Sequence, residues 1–178
     1  MYSGTSRLFL IGPMGAGKTA IGKELARQLE LDFLDADQEI ERRTGVDIPL
    51  IFEKEGEAGF RRREREVVAE LTQRERLVLA TGGGAVLDPA NREALKSRGR
   101  VIYLKASLAS QAARTAQNRN RPLLHTEDRE ARLEQLFEIR RPLYEDLADL
   151  TVDTDSGQVK QITQRIIKEL ERQDADSR

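Results

Sequence analysis

The sequence predicts an α/β fold built on a parallel sheet, and three observations carry that expectation. Five short apolar runs are separated by stretches of helical periodicity. The first run, Leu8-Phe9-Leu10-Ile11, leads directly into Gly12-Pro13-Met14-Gly15-Ala16-Gly17-Lys18-Thr19, which fits the phosphate-loop spacing G-x-x-x-x-G-K-[ST]. From Lys18 onward, Ile21, Leu25 and Leu29 recur at every fourth position with Ala26 beside them, so a helix begins where a bound anion would sit.

Each fixed position of that loop has a physical task. Glycine allows positive φ and brings backbone N–H groups against phosphate oxygens with no Cβ in the way. Lys18 is expected to reach the β- and γ-phosphates and the Thr19 hydroxyl to ligate Mg²⁺, with Gly15, Ala16, Gly17 and Ala20 completing the nucleotide contacts. The competing reading is a flexible glycine-rich turn that matches by chance, and the strand before and helix after weigh against it.

Length and composition bound the rest. With 178 residues the chain suits a single domain with a real hydrophobic core. Lys plus Arg number 30 against 31 Asp plus Glu, so no global field draws the chain to nucleic acid or an anionic membrane, and neither is expected as a partner. The absence of cysteine excludes disulfides, thiolate metal sites and a cysteine nucleophile, and fits a reducing, cytoplasmic setting. One arginine precedes the first apolar run, which is read as neither signal peptide nor membrane span.

Taken in order, residues 1 to 6 are expected to be loose, Arg7 starts the first strand, and the first helix ends near Glu30. Asp32 to Asp37 reads as a second strand whose carboxylates at Asp35 and Asp37, two residues apart, point the same way at the strand's C-terminal end. One acid could serve the metal and the other an attacking hydroxyl; alternatively one or both cap the next helix. That helix, from about Gln38 to Arg43, stops at Thr44-Gly45, and Pro49 opens another. Phe60, Val67, Val68 and Leu71 then mark the apolar face of a helix carrying an arginine run. Most of that run is expected to be a solvated face with pairs such as Glu57 with Arg61, but Arg61 itself is placed to clamp an anionic substrate.

Leu77 to Thr81 forms a third strand running into Gly82-Gly83-Gly84, a triplet whose place at a strand end favours close approach to a ligand. Ala80 and Thr81 stand where a Walker-type ATPase often has a metal-side acid, which shifts that role to Asp35. Asp88 caps and Pro89 opens a helix to about Lys96, Val101 to Leu104 is the fourth strand, and Ser107 caps a helix carrying Arg114. Asn118 to His125 interrupts the helical pattern and reads as a lid, where Arg119 or Arg121 could neutralise charge on a transferring phosphoryl group. His125 reads as a surface residue. A helix from about Glu127 carries Leu133, Leu136 and Phe137 on one face and is expected to break near Arg141, before Pro142. Leu150 to Asp153 is the fifth strand, Val159, Ile162, Ile166 and Leu170 mark the closing helix, and residues 173 to 178 are expected to fray.

Together the phosphate loop, Asp35-Ala36-Asp37, Gly59-Phe60-Arg61-Arg62, Gly82-Gly83-Gly84-Ala85-Val86, Arg121-Pro122-Leu123-Leu124 and Arg140-Arg141-Pro142-Leu143-Tyr144 resemble shikimate kinase over almost the whole chain. The resemblance implies a three-layer α/β/α fold with a five-stranded sheet in the order 2-3-1-4-5. It also implies a substrate-binding subregion near residues 35–63 and a lid near 115–128. It places Asp37 at the shikimate ring hydroxyls, Arg61 and Arg140 at its carboxylate, and the backbone of Gly82, Gly83 and Gly84 beside it. Arg121 resembles the lid arginine that meets ATP phosphates and Arg114 the one covering adenine, while Ser156-Gly157-Gln158 matches the adenine loop loosely, with Gln158 as its contact. Ala80 departs from the serine many relatives carry. The expected activity is ATP- and Mg²⁺-dependent phosphorylation of shikimate by a cytoplasmic monomer. Rival readings are a gluconate or nucleoside monophosphate kinase on the same scaffold, or a non-catalytic nucleotide-binding module.

Overall fold

The computed structural model describes residues 6–116 and 121–177. The expectations for residues 1 to 5, Asn118, Arg119, Asn120 and Arg178 lie outside the described residues. Five strands form one parallel sheet: β1 (Arg7–Ile11), β2 (Asp32–Asp35), β3 (Leu77–Ala80), β4 (Arg100–Lys105) and β5 (Leu150–Asp153). Their order is β2-β3-β1-β4-β5, as the resemblance implied. The helices are α1 (Lys18–Leu29), α2 (Ala36–Thr44), α3 (Ile48–Leu71), α4 (Pro89–Arg98), α5 (Leu108–Thr115), α6 (Arg129–Leu147) and α7 (Val159–Asp176).

Side-chain alternation along the strands divides the interior into two cores. Phe9 and Ile11, Leu77 and Leu79, Val101 and Tyr103 face one side, where they meet Ile40 of α2, Val67 and Leu71 of α3, Leu95 of α4 and Tyr144 of α6. Leu8 and Leu10, Val78, Ile102 and Leu104, Leu150 and Val152 face the other, against Ile21 and Leu25 of α1 and Ile162, Ile166 and Leu170 of α7. Strands buried on both faces explain why the sequence reads as continuous apolar runs rather than alternating ones. Each fully buried aliphatic side chain contributes roughly 1.5–3 kcal/mol, so these two layers hold the sheet.

Parallel strands put all their C-terminal ends on one edge. Because β2, β3 and β1 are neighbours, the loop after β1, the end of β2 and the glycine triplet after β3 emerge side by side. A single sheet edge therefore gathers every predicted group of the site except those on α3, α5, α6, the stretch before α6 and the loop before α7.

Three boundaries differ from the sequence reading, each for a physical reason. β2 ends at Asp35 rather than at Asp37, because Asp35 is the N-cap of α2 and its Oδ1 accepts the backbone N–H groups of Asp37 and Gln38 at 2.9 and 3.2 Å. Asp37 consequently lies on the first helical turn. Residues 173 to 176, expected to fray, continue α7; Asp174 pairs with Arg100 at 2.8 Å and Gln173 Nε2 reaches Asp149 O at 3.3 Å. The helix carrying Arg140 runs unbroken through Pro142 to Leu147. Packing overrides the local signal there: Arg140, Tyr144 and Leu147 are all buried, on both sides of the proline. By contrast, the long helix α3 does change direction where glycine permits it, at Gly56 with φ 71°.

Pro142 is exposed and cannot donate an N–H to the Glu138 carbonyl one turn back. Pro142→Ala is therefore expected to stabilise the protein by about 1–3 kcal/mol, measured as an upward shift of the urea midpoint with unchanged slope. An unchanged or lowered midpoint would show that the ring itself is needed where α6 passes the cleft.

Candidate active site

The phosphate loop has the shape its spacing demands. Gly12, at φ 147°, sits where a Cβ would run into the Leu104 carbonyl of the neighbouring strand. Gly17, at φ 89°, is the N-cap of α1. Lys18 folds back over the loop, its Nζ donating to the carbonyls of Gly12 and Pro13 at 2.7 and 2.8 Å. Burial, with the Arg121 guanidinium adding to it, lowers the Lys18 ammonium to about 7 against the pull of Asp37 and Asp35. The Thr19 hydroxyl donates to Asp35 Oδ2 at 2.7 Å. In the β2–β3 register Asp35 lies opposite Ala80, which puts a carboxylate one strand over from the position where β3 has none.

Across from the loop lies a cleft of about 420 Å³, part of it open to solvent. One wall is apolar, with Ile48, Phe52 and Phe60 of α3 and Met14 of the phosphate loop; the rings of Phe52 and Phe60 are 5.0 Å apart. The charged groups lining it are Asp37, Glu64, Arg61, Arg121 and Arg140, with the glycine triplet between them. Arg61 Nη1 donates to Glu64 Oε1 at 2.8 Å and Nη2 reaches Glu57 Oε1 at 3.4 Å, the pair with Glu57 being the one its i,i+4 spacing suggests. The Arg61 guanidinium also lies 5.2 Å from the Phe60 ring centre. Arg140 is buried on α6, where burial and the neighbouring Arg61 hold it below the usual arginine value.

The glycine triplet runs through the middle of this charge cluster. A Cβ on Gly82 would lie 2.8 Å from Asp37 Oδ1 and 3.0 Å from Glu64 Oε2; one on Gly83 would lie 3.4 Å from Arg140 Nη1; one on Gly84 would run into the Arg61 guanidinium. At Gly82 and Gly84 a side chain would displace those charged groups, whereas at Gly83 a Cβ would make only ordinary contacts. Burial, then the neighbouring carboxylates Glu64 and Asp35, push Asp37 up to about 7. Burial likewise raises Glu64 in spite of Arg61. Asp37 Oδ1, Glu64 Oε2 and the Nε atoms of Arg61, Arg121 and Arg140 are all buried with no hydrogen-bond partner. Buried polar atoms left unpaired in a cleft are groups a ligand can satisfy.

Structure thus brings Lys18, Thr19 and Asp35 into one cluster at the loop, and Asp37, Arg61, the glycine triplet, Arg121 and Arg140 into the adjoining cleft. Arg114 stands on the β5 side of the loop, its Nη1 donating to Gly15 O at 2.8 Å and its Nη2 to Thr154 O at 2.9 Å. Ala16 is buried, and Ala20 is exposed on the first turn of α1. Gln158 is exposed at the N-terminus of α7, with its backbone N–H donated to Gln161 Oε1 at 2.8 Å. Glu64, Phe52 and Met14 were not singled out from sequence. The Arg61-x-x-Glu64 spacing was the available signal for Glu64, but it looks the same as an exposed i,i+3 pair.

Comparison with known proteins addresses the same features as a whole. A family model of shikimate kinase matches residues 14–171. A shikimate kinase of Methylococcus capsulatus is 58% identical over 93% of this chain and 92% of its own length, and one of Thioalkalivibrio sulfidiphilus is 55% identical over 97% and 91%. Among solved structures, shikimate kinase from Acinetobacter baumannii in complex with shikimate superposes with a TM-score of 0.92 at 50% identity, covering 94% of this chain and 93% of that one. A family match spanning most of the chain, joined to a phosphate loop that faces a cleft of arginines and carboxylates, has one reading: the chain belongs to the shikimate kinase family and is an ATP-dependent phosphotransferase.

Proposed function

We propose that this chain transfers the γ-phosphoryl group of ATP to the 3-hydroxyl of shikimate, giving shikimate 3-phosphate and ADP on the route to chorismate and the aromatic amino acids. The observation that carries this reading is the pairing of Arg61 and Arg140 with Asp37 in one cleft beside Lys18. Shikimate is a ring with a carboxylate and hydroxyls. Two guanidinium groups suit the carboxylate, Asp37 suits the hydroxyls, and Phe52, Phe60 and Ile48 suit the ring face. A neutral polyol offers no carboxylate to the buried Nε atoms of Arg61 and Arg140, which disfavours it.

In the transfer, the acceptor oxygen forms a bond to the γ-phosphorus while the bond from that phosphorus to the ADP oxygen breaks, and the hydroxyl proton passes to Asp37. An acid whose ionisation is raised to about 7 suits late proton acceptance near neutral pH. Phosphoryl transfer proceeds through a loose transition state, so positioning and charge neutralisation dominate. Lys18 and Arg121 supply the cations on the protein side. Arg121 lies just before the short turn Pro122–Leu124, on the segment read as a lid. Thr19 and Asp35 present hard oxygens 2.7 Å apart beside the loop, a donor set that suits Mg²⁺. An ion there would offset phosphate charge. Arg114, with Gln158 from the loop before α7, is assigned to the adenine side. Glu64 is assigned to hold Arg61 toward the acceptor carboxylate. No helix among the described residues is long and apolar enough to cross a membrane. A single-domain monomer acting in the cytoplasm completes the reading.

ADP release by the purified protein with ATP and Mg²⁺ tests the acceptor. Shikimate is expected to stimulate it strongly and gluconate or a nucleoside monophosphate not at all; stimulation by either of those instead would overturn the assignment. Asp37→Asn is expected to lose nearly all turnover while ATP binding persists, and near-normal turnover would remove Asp37 from the mechanism. The same variant should melt higher above neutral pH. Asp37 ionises at 3.8 in its ordinary state but at about 7 when folded, so the native state holds a proton the unfolded chain has lost and stability falls as pH rises through that window. The asparagine variant escapes that loss, so its advantage in melting temperature should open between those values and stay constant above them.

A further inference from the structure

Tyr144 lies on α6 one turn beyond Arg140, fully buried, and its ring stacks on that of Tyr103 of β4 at 5.1 Å and 26°. The two phenols differ in one respect. Tyr103 Oη is buried with no hydrogen-bond partner, whereas Tyr144 Oη donates to the Gly83 carbonyl at 2.5 Å. Ring packing alone therefore leaves the Tyr144 hydroxyl unexplained, since phenylalanine would fill the same stack. Arg140 precedes Tyr144 by four residues on the same helix, and its charge acts on that phenol.

Gly83 is where the two halves of the site touch. A Cβ there would lie 3.4 Å from Arg140 Nη1, 3.5 Å from the Met14 backbone nitrogen and 3.6 Å from the Gly12 carbonyl. Its carbonyl belongs to the peptide joining it to Gly84, and a trans peptide sets C=O and N–H antiparallel. Pinning the carbonyl onto Tyr144 turns the Gly84 N–H the opposite way, and Gly84 lines the cleft. Three consecutive glycines have no side chains to fix their own peptide planes. Backbone bonds hold the flanking planes, Ala85 N–H donating to Gly82 O and Leu87 N–H to Gly84 O at 3.1 Å each, and Tyr144 anchors the plane between them.

We propose that Tyr144 is a positioning residue for the acceptor: by holding the Gly83 carbonyl it fixes the glycine triplet between Arg140 and the phosphate loop, and so sets the acceptor against the γ-phosphate. This rests on the shikimate kinase reading of the cleft. Tyr144 touches neither substrate; it acts through Gly83 and Arg140.

The test is steady-state kinetics of Tyr144→Phe, with Tyr103→Phe as the control that removes the other hydroxyl of the same stack. Tyr144→Phe leaves a buried carbonyl without its donor, and kcat/KM for shikimate should fall about tenfold or more while KM for ATP stays within about twofold. Tyr103→Phe should change neither. Equal loss in both variants, or Tyr144→Phe within about twofold of the parent for shikimate, would overturn the proposal. So would an ATP KM that rises as far as that for shikimate. Should Tyr144→Phe fail to fold, trifluorotyrosine placed at 144 keeps the ring and hydroxyl but makes the phenol more acidic. The alkaline fall in shikimate kcat/KM should then begin at lower pH than in the parent, because a phenolate cannot donate to Gly83; an unshifted profile would overturn the proposal. Parent protein with no shikimate-dependent ADP release removes the acceptor reading and this one with it, whereas an active parent with an indifferent Tyr144→Phe removes only the role of Tyr144.

Discussion

The structure of the site depends on one steric constraint: past the end of β3, at Gly82 and Gly84, a side chain would displace the charged groups of the cleft. Asp37 from α2, Glu64 and Arg61 from α3, and Arg140 from α6 all close on Gly82, Gly83 and Gly84. Helices that bring charged groups this close to a strand end need a backbone without Cβ atoms between them. The segment after the triplet is correspondingly tied down. Asn91 Nδ2 donates to Ala85 O, Arg92 Nη1 to Val86 O, and Arg65 Nε to Asp88 Oδ2, so both α3 and α4 hold the chain that the triplet leaves free.

That convergence has an electrostatic cost, and the pattern of unpaired atoms shows where it is stored. Arg61 and Glu64 satisfy each other in part, yet Glu64 Oε2 and Asp37 Oδ1 both come within about 3 Å of the Gly82 Cβ position with no donor. Burial raises both acids, and it lowers Lys18 and Arg140. Acids and bases shift in opposite directions under one cause, the burial of their side chains around the glycine triplet. Apolar residues at these positions would stabilise the fold at the expense of the cleft, which is the usual conflict between stability and a preorganised site.

The fold was legible because its determinants are local. Phosphate-loop spacing, the Asp88 and Ser107 caps, the Gly45 stop and the apolar runs of the strands each declare themselves within a few residues. What the sequence did not show depends on partners far along the chain. Whether Asp35 or Asp37 caps α2 is decided by which carboxylate reaches the free N–H groups, and a shift of two residues moves Asp37 from strand to helix. Glu64 spaced from Arg61 looks like Glu39 spaced from Arg42, yet Arg42 is 71% exposed against 18% for Arg61, and Glu39 10% against 1% for Glu64. Gly82 against Glu64 makes that difference, and no local pattern contains it. Pro142 and the end of α7 fall in the same class, since the packing of Tyr144 and the Arg100–Asp174 pair override local signals.

Met14 shows how the two halves of the site share more than an edge. It belongs to the phosphate loop, lines the acceptor cleft, and packs with Leu124, Leu133 and Leu136 in a small apolar cluster separate from both main cores. Arg132 Nε donates to Leu123 O and Arg129 Nη2 to Thr115 O, so α6 grips the chain on either side of residues 117–120. A cluster of four buried side chains opens at a fraction of the cost of the main cores, because only its own apolar contacts are lost. Movement of Leu124 would therefore be felt first at Met14, one side chain from both the phosphate loop and the cleft. The sheet and its two cores would stay in place, and the phosphate and acceptor sites would register the change together.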